Sequence, residues 1–290
     1  MSLVSLKEVL QDARRARYAV PMFDVSNAAM IRAAVEVAEE ENSPVILAAI
    51  EPDLVGSMIE YWSAAARLAA FRSRVPVAIM LDHAATTGLC VRCTDAGFSG
   101  VMLDASSRPF DENIAAVREV AGLMHRRGVS VEAELGHVGD AQAVGGEGEL
   151  TGSAGAHNVY TDPASVAEFV ERSGCDALAV SIGTAHGVYV TAPRLEIGLL
   201  REIDAVSPVP LVLHGGSGTP EDQLRDAIAN GIAKINICSE VMHAWHKNML
   251  DELAAAPNLS YWDVTACVKP EAAIREVMRA KIRLFGSNRK

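Results

Sequence analysis

Eight short apolar runs, separated by stretches with helical spacing, constrain the fold of this chain more than any other feature. A parallel strand covered on both faces is a continuous apolar run, whereas a helix shows apolar residues every three or four positions. Helical spacing is clearest over residues 28–41 and 111–127. The eight runs cover residues 18–23, 45–48, 75–81, 100–103, 129–135, 177–182, 209–213 and 232–237.

This alternation predicts an α/β protein built as a (β/α)8 TIM barrel. The main alternative, an open doubly wound sheet, would carry a glycine-rich turn after the first strand, where this chain has Asp24-Val25-Ser26-Asn27. No linker or repeat interrupts the alternation, so we expect a single domain over residues 1–290. Helical patterns over 239–256 and 269–285 follow the eighth run and predict one extra C-terminal helix.

Charge and targeting signals limit the partners and the compartment. The 290 residues include 26 Lys and Arg against 37 Asp and Glu, a net charge of −11 that makes nucleic acid and anionic membranes poor partners. The chain has neither an apolar run long enough to span a membrane nor a signal-peptide pattern at its start. Its five cysteines are scattered and suggest no disulfide framework. We therefore expect a cytoplasmic protein.

Three histidines follow directly on the ends of predicted strands, namely His83, His186 and His214. In a barrel of this type the carboxyl ends of the strands meet at one face, where the active site lies. Three neutral imidazoles can bind zinc there and leave a coordination position open for substrate. The other five are expected to be solvated, on helices or in a long loop: His125, His137, His157, His243 and His246.

Acidic residues share the same rim of the predicted barrel. Asp82 and Asp104 end strands, and Glu132 and Glu134 lie on one face of the fifth strand because side chains alternate along a strand. Each could be a general acid or base, a metal ligand, or a group that orients a ligating histidine. The alternative is a salt bridge to a neighbouring helix, which we favour more for Glu132 than for Asp82.

Two turns near the end of the barrel indicate phosphate binding. A glycine-rich turn, residues 215–218, follows the seventh run, and residues 236–239 follow the eighth. Loops after strands seven and eight, together with a helix N-terminus, form the usual phosphate site of this fold because their backbone N–H groups point at the anion. A long glycine-rich loop over residues 136–160 follows the fifth run, and loops of that length are usually functional.

Several segments, taken in order along the chain, resemble the class II, zinc-dependent ketose-bisphosphate aldolases, most of all the tagatose-bisphosphate branch. The matching segments include YAVPMFDVSN, LDHA, VMLDASSRPFDENI, VEAELG, LAVSIGTAHGVY, VPLVLHGGSG and KINICSE. The resemblance implies a barrel-shaped lyase that cleaves a ketose phosphate into dihydroxyacetone phosphate and an aldehyde, and that assembles as a homodimer or homotetramer.

The resemblance also implies a role for each matching residue. His83, His186 and His214 would bind Zn2+, and Asp82 would exchange a proton with the C4 oxygen of the substrate. Asp104 and Glu134 match positions near the metal that can hold it in an alternative pose. A monovalent cation, Na+ or K+, often lies near the substrate phosphate in this family. The implied contacts for dihydroxyacetone phosphate are Gly187, Gly215, Gly216, Ser217, Asn236, Ile237, Cys238 and Ser239.

The chemistry of the reaction supports this set. Breaking the C3–C4 bond leaves negative charge on an enediolate, for which zinc is a Lewis acid. A second acid must then reprotonate C3, and in the family it is a glutamate on the loop after the fifth strand. Here the loop sequence GDAQAVGGEGEL departs from the family pattern, and Glu147 is our choice for that acid.

Two departures from the family concern the far end of the substrate. Asp24 replaces an asparagine and Ile50 replaces a hydroxyl residue, at positions that help to hold the distal phosphate in the fructose branch. An acid and an aliphatic side chain are poor hosts for a dianion. Our hypothesis is that the distal end is unphosphorylated, or is bound by other groups such as Arg108 or Arg289.

Two other functional interpretations are weaker. A Schiff-base aldolase needs a lysine inside the barrel, and only Lys234 could serve because no lysine occurs between Lys7 and Lys234. A non-catalytic accessory subunit with an aldolase-like fold would be free to lose its zinc ligands, whereas all three candidate histidines are present.

Overall fold

Eight parallel strands close into a barrel in the order in which they occur along the chain. The structure, a computed structural model, describes residues 2–139, 159–258, 260 and 262–290. The closed barrel confirms the predicted fold and excludes the open sheet. The strands are β1 (Val20–Asp24), β2 (Val45–Ile50), β3 (Val77–Ala84), β4 (Gly100–Leu103), β5 (Ser130–Leu135), β6 (Ala177–Val180), β7 (Leu211–Leu213) and β8 (Ile232–Ile237).

Helices surround the barrel, and a short 3-10 turn, Glu51–Leu54, follows β2. The helix predicted over residues 28–41 has those limits, and the helices predicted after the eighth strand differ from the observed ones by one residue at most at each end. The helices are α1 (Leu6–Ala16), α2 (Ala28–Glu41), α3 (Met58–Arg72), α4 (Thr87–Ala96), α5 (Phe110–His125), α6 (Pro163–Ser173), α7 (Ile197–Val206), α8 (Glu221–Ala229), α9 (Ser239–Ala255), α10 (Asp263–Ala266) and α11 (Val268–Leu284).

Helix α1 closes the end of the barrel at which the strands begin, and the sequence analysis did not predict it. A capping box between Ser5 and Glu8 starts the helix, and its buried face includes Leu6 and Leu10, which pack with the side chains that fill the barrel interior. Leu6 lies so close to Gly100, the first residue of β4, that a Cβ there would come within 2.5 Å of it. The opposite end of the barrel is therefore the open one.

The extra C-terminal helix is α11, which packs along α9 and α2. Its buried side chains include Ile274, Met278 and Ile282, and its arginines form ion pairs with glutamates of α2. These pairs are Arg275 with Glu36 at 2.6 Å, Arg279 with Glu40 at 2.6 Å and Arg283 with Glu41 at 2.7 Å. Among the described residues, no helix combines the length and the apolarity that crossing a bilayer requires.

Candidate active site

A bulge at the end of β3 turns two consecutive side chains toward the open end of the barrel. Neighbouring residues of a regular strand point to opposite faces. The pairing of β3 with β4 shifts between Leu81 and Ala84, and His83 has a positive φ of 48°. Such left-handed backbone costs a non-glycine residue on the order of 1–3 kcal/mol, and strained residues of this kind cluster at functional sites. Both Asp82 and His83 consequently line the same cavity.

The three strand-end histidines meet at this open end. His83 comes from β3, His186 follows β6 and His214 follows β7. The centroid of the His83 ring lies 4.8 Å from that of His186 and 4.7 Å from that of His214, and the other two centroids are 5.6 Å apart. Each ring offers one nitrogen, and these nitrogens all lie within 4.8 Å of one another.

The hydrogen bonding of two of these rings fits a bound cation. His83 Nδ1 lies 2.9 Å from Asp104 Oδ2, while its buried Nε2 has no hydrogen-bond partner. His214 Nε2 lies 3.1 Å from Glu132 Oε1, and its Nδ1 lies 3.2 Å from Glu134 Oε2. A carboxylate on one imidazole nitrogen, with the other nitrogen available, is the usual environment of a metal-ligating histidine. Three convergent imidazoles are a donor set typical of zinc.

Burial and neighbouring charges shift the pKa values of His83 and His186 in opposite directions. Burial opposes the charged form of His83, but the charge of Asp82 and the hydrogen bond to Asp104 outweigh burial and raise its pKa to about 10. Burial, with the neighbouring imidazoles, lowers the pKa of His186 to about 4. A metal ion bound here must therefore displace a proton from His83 but finds His186 already neutral. His83, Asp104 and Glu134 form a second possible donor group beside the three histidines.

A buried chain of polar contacts joins the histidines to Asp82. The Lys234 ammonium, which is fully buried, donates to Glu132 Oε1 at 2.9 Å and to Asn236 Oδ1 at 2.8 Å. The Asn236 amide in turn donates to Asp82 at 3.3–3.4 Å. Glu132 accepts from His214, so one lysine links a candidate metal ligand to the candidate base. Burial opposes ionisation of Asp82, but the surrounding histidine and lysine charges keep its pKa below the usual range.

Asp82, His83, His186 and Asn236 line a cavity of about 420 Å³ at the open end of the barrel, whereas His214 is fully buried. The rim of the cavity is formed by the loops after β6, β7 and β8. Gly215 has a φ of 66°, and a Cβ there would come within 2.3 Å of the Ala185 carbonyl oxygen, so only glycine lets the two loops approach. The hydroxyl of Tyr189 accepts from the Ala185 N–H at 2.7 Å and donates to the Gly215 carbonyl at 3.0 Å, which fastens these loops together.

Comparison with known proteins agrees with this geometry. The sequence profile of the family described as "Fructose-bisphosphate aldolase class-II" matches residues 4–290. The chain belongs to the class II fructose-bisphosphate aldolase family. It is similar to the fructose-bisphosphate aldolase of Geobacillus stearothermophilus, at 39% identity over 100% of this chain and 99% of that protein. The predicted family is therefore confirmed.

Two further relatives extend the comparison. The 6-phospho-5-dehydro-2-deoxy-D-gluconate aldolase of Bacillus licheniformis is 39% identical over 100% of this chain and 97% of its own. The crystal structure of the YdjI aldolase from Escherichia coli K12 superposes with a TM-score of 0.86, at 34% identity and with 99% of this chain and 98% of that chain covered. The family thus includes aldolases named for different substrates.

Most of the residues predicted to bind the substrate surround the aldolase cavity. Of the remaining two, Ile237 has its side chain in the hydrophobic core, and the Gly216 N–H is bonded to the Asn236 carbonyl oxygen. Glu147 lies outside the described residues. The predicted contacts that line the cavity are Gly187, Gly215, Ser217, Asn236, Cys238 and Ser239.

Three residues of this site have partners or an environment that the sequence reasoning did not predict. Glu132 does not pair with a helix; it is fully buried inside the barrel between Lys234 and His214. Lys234, considered only as a Schiff-base residue, is buried and donates hydrogen bonds to Glu132 and Asn236. His137 lines the cavity and lies 2.8 Å from the Ser106 hydroxyl, although we expected it to be solvated. Its position just after β5 was a signal of the same kind as that of the other three.

The two family departures both lie in the cavity wall. Asp24 is only 3% exposed, and its Oδ1 has no hydrogen-bond partner. Burial, reinforced by the Asp82 charge, raises the pKa of Asp24 to about 8. Ile50 pairs in register with Asp82 and lines the same wall. Neither of the two arginines suggested to bind a distal phosphate lines the cavity. Arg108 is exposed in the loop after β4. The Arg289 N–H donates to the Glu41 carbonyl oxygen at the end of α2, which lies at the closed end of the barrel.

Proposed function

We propose that this aldolase-family member is a zinc-dependent lyase acting on a ketose 1-phosphate or ketose bisphosphate of the tagatose or fructose type. It reversibly cleaves the sugar into dihydroxyacetone phosphate and an aldehyde. The observation that carries the proposal is the convergence of three imidazoles beside Asp82, with His83 and His186 lining the same cavity as that carboxylate. When bound by His83, His186 and His214, zinc would supply Lewis-acid stabilisation of the negative charge that develops as the C3–C4 bond breaks.

Asp82 is proposed as the base for the C4 hydroxyl. It follows β3 immediately before a candidate metal ligand, and its Oδ2 lies 4.0 Å from His83 Nε2. The hydrogen bond from Asn236 fixes the carboxylate orientation. During cleavage Asp82 takes the proton of the C4 hydroxyl while the C3–C4 bond opens and C4 becomes the aldehyde carbon. In the condensation direction it returns that proton.

The phosphate of the substrate is assigned to the loops after β7 and β8. Ser217 and Ser239 line the cavity there, and Ser239 begins α9, whose first N–H groups and dipole favour an anion. Gly187 and Gly215 line the cavity beside these serines. A monovalent cation, Na+ or K+, beside this phosphate is part of the proposal.

The proposal also covers the proton donor to C3, the substrate class, the oligomeric state and the cellular location. C3 must regain a proton before dihydroxyacetone phosphate leaves, and Glu147 is the proposed donor. The curated relatives support a sugar phosphate as the substrate class, since both names describe one. Assignment to the tagatose-bisphosphate branch, a single domain over residues 1–290, a homodimer or homotetramer, and a cytoplasmic location complete the proposal.

A cleavage assay and a metal analysis test the proposal together. We expect the purified protein to hold about one zinc per chain and to release dihydroxyacetone phosphate from a ketose phosphate, with activity lost on chelation. His186→Gln should lose both metal and activity, whereas His246→Gln, on the exposed face of α9, should keep both. A protein that holds no zinc, or that cleaves and condenses no sugar phosphate, would contradict the proposal and favour an accessory role.

A further inference from the structure

The side chains that line the cavity of this aldolase-family member include several acidic groups. Asp24, Asp82 and Asp104 line it, and among the described residues that surround it there is no lysine or arginine. The segment 140–158, which lies outside the described residues, has three acidic residues and no lysine or arginine in its sequence. Lys234 lies beneath the cavity, but its charge is balanced by Glu132 at 2.9 Å.

Among the described residues, one part of the wall is suited to an anion. The loops after β7 and β8 bring two serines and the first turn of α9 to the cavity, and the substrate phosphate is assigned to this part. A second phosphate or a carboxylate would need another set of N–H donors or an arginine fork. Arg108 and Arg289 do not supply it, because neither lines the cavity.

Asp24 lies in the cavity wall next to the loops to which the phosphate is assigned. It ends β1, which lies between β8, the strand before the phosphate loop, and β2, which carries Ile50 beside Asp82. Its Oδ1 is buried without a hydrogen-bond partner. A carboxyl group has no positive charge in either protonation state. When protonated it offers one donor and one acceptor, the same pair that a sugar hydroxyl can match.

We propose that Asp24 binds a hydroxyl of the unphosphorylated end of the substrate and, with the aliphatic wall at Ile50, excludes a second anionic group. The substrates are then ketose 1-phosphates whose remaining carbons carry only neutral groups. This inference rests on the proposed aldolase function.

The condensation direction gives the sharpest test because the two aldehydes can be matched. Dihydroxyacetone phosphate is offered with D- or L-glyceraldehyde, or with the corresponding glyceraldehyde 3-phosphate, and its consumption is followed. We expect kcat/KM to be higher for the neutral aldehyde by about 10-fold or more, since a desolvated anion without a partner binds poorly. Asp24→Asn combined with Ile50→Ser should shift the ratio toward the phosphorylated aldehyde by about 10-fold.

Controls separate this inference from the proposed function. Asp53→Asn changes an acid that bonds the Ile50 N–H at 3.3 Å but does not line the cavity, so it should leave the ratio unchanged. A preference of the unsubstituted protein for the phosphorylated aldehyde, or a ratio that the double variant does not move, overturns the inference while leaving the aldolase intact. If no aldehyde consumes dihydroxyacetone phosphate, the proposed function itself has failed, and the inference with it.

Discussion

At the scale of single residues, Asp24 is one of the groups whose protons couple folding to pH. Its pKa is raised from 3.8 to about 8 by burial and by the Asp82 charge, with the His83 and Lys234 charges opposing. Below pH 4 both the folded and the unfolded chain hold this proton, so Asp24 has no effect on stability there. Between pH 4 and pH 8 the unfolded chain loses this proton while the folded chain keeps it. The contribution of Asp24 to the free energy of unfolding therefore falls steadily as the pH rises over this range.

Asp24→Asn removes this titration while keeping the side-chain shape. In metal-free protein we expect the free energy of unfolding of the variant, relative to the unsubstituted chain, to rise between pH 5 and pH 8. The gain should approach about 1.4 kcal/mol per pH unit and level off above pH 8. Urea denaturation at four pH values measures it. A difference that stays constant over that range would show that Asp24 ionises normally in the folded protein.

At the scale of elements, the Lys234–Glu132 contact ties β8 to β5 across the inside of the barrel. Both side chains are fully buried. Lys234→Met leaves the Glu132 charge without its lysine, which typically costs about 3–5 kcal/mol of stability. The same change removes the hydrogen bond from Lys234 to Asn236. We expect kcat to fall by about 10- to 100-fold, because the residues that orient Asp82 and His214 are then held less firmly.

A double variant distinguishes a charge effect from a packing effect. Lys234→Met with Glu132→Gln removes both charges and should recover part of the lost stability, as a coupled pair requires. The matched control is Lys247→Met, whose partner Asp251 lies 2.8 Å away on the exposed face of α9. That change should cost less than about 1 kcal/mol. Equal losses in the single and the double variant would mean that the Glu132 charge carries no penalty once its lysine is removed.

At the scale of the whole molecule, zinc joins loops that come from distant parts of the chain. His83, His186 and His214 follow three different strands, so a metal that binds only the folded barrel stabilises all of it. We expect chelation to lower the Tm by about 5–10 °C, and added zinc to restore it. His186→Gln should show the lower Tm with or without chelator. An unchanged Tm on chelation would argue against a metal bound by these histidines.

The barrel was predictable because its signal repeats along the chain. Each strand is covered on both faces, so strands such as β2 and β4 form apolar runs that local sequence reveals. Helix α1 also had a local signal, with Leu6, Val9, Leu10 and Ala13 on one side behind a capping box, but that segment was considered only as a possible targeting peptide.

The site was predictable only in part. Position at a strand end identified His83, His186 and His214, because barrel topology carries all such positions to one face. It could not reveal that Asp82 and His83 point into the same cavity, since that depends on the bulge in β3. Nor could it pair Lys234 with Glu132, which are 102 residues apart in sequence.

The amino-acid pattern by itself determined the eight-fold alternation, the acidic charge and the chemical identity of the groups at the strand ends, because each is a property of short segments. Tertiary structure alone decided which of those groups touch, which carry protons and which face the cavity. Those properties depend on burial and on distances between strands, and both arise only when the barrel closes.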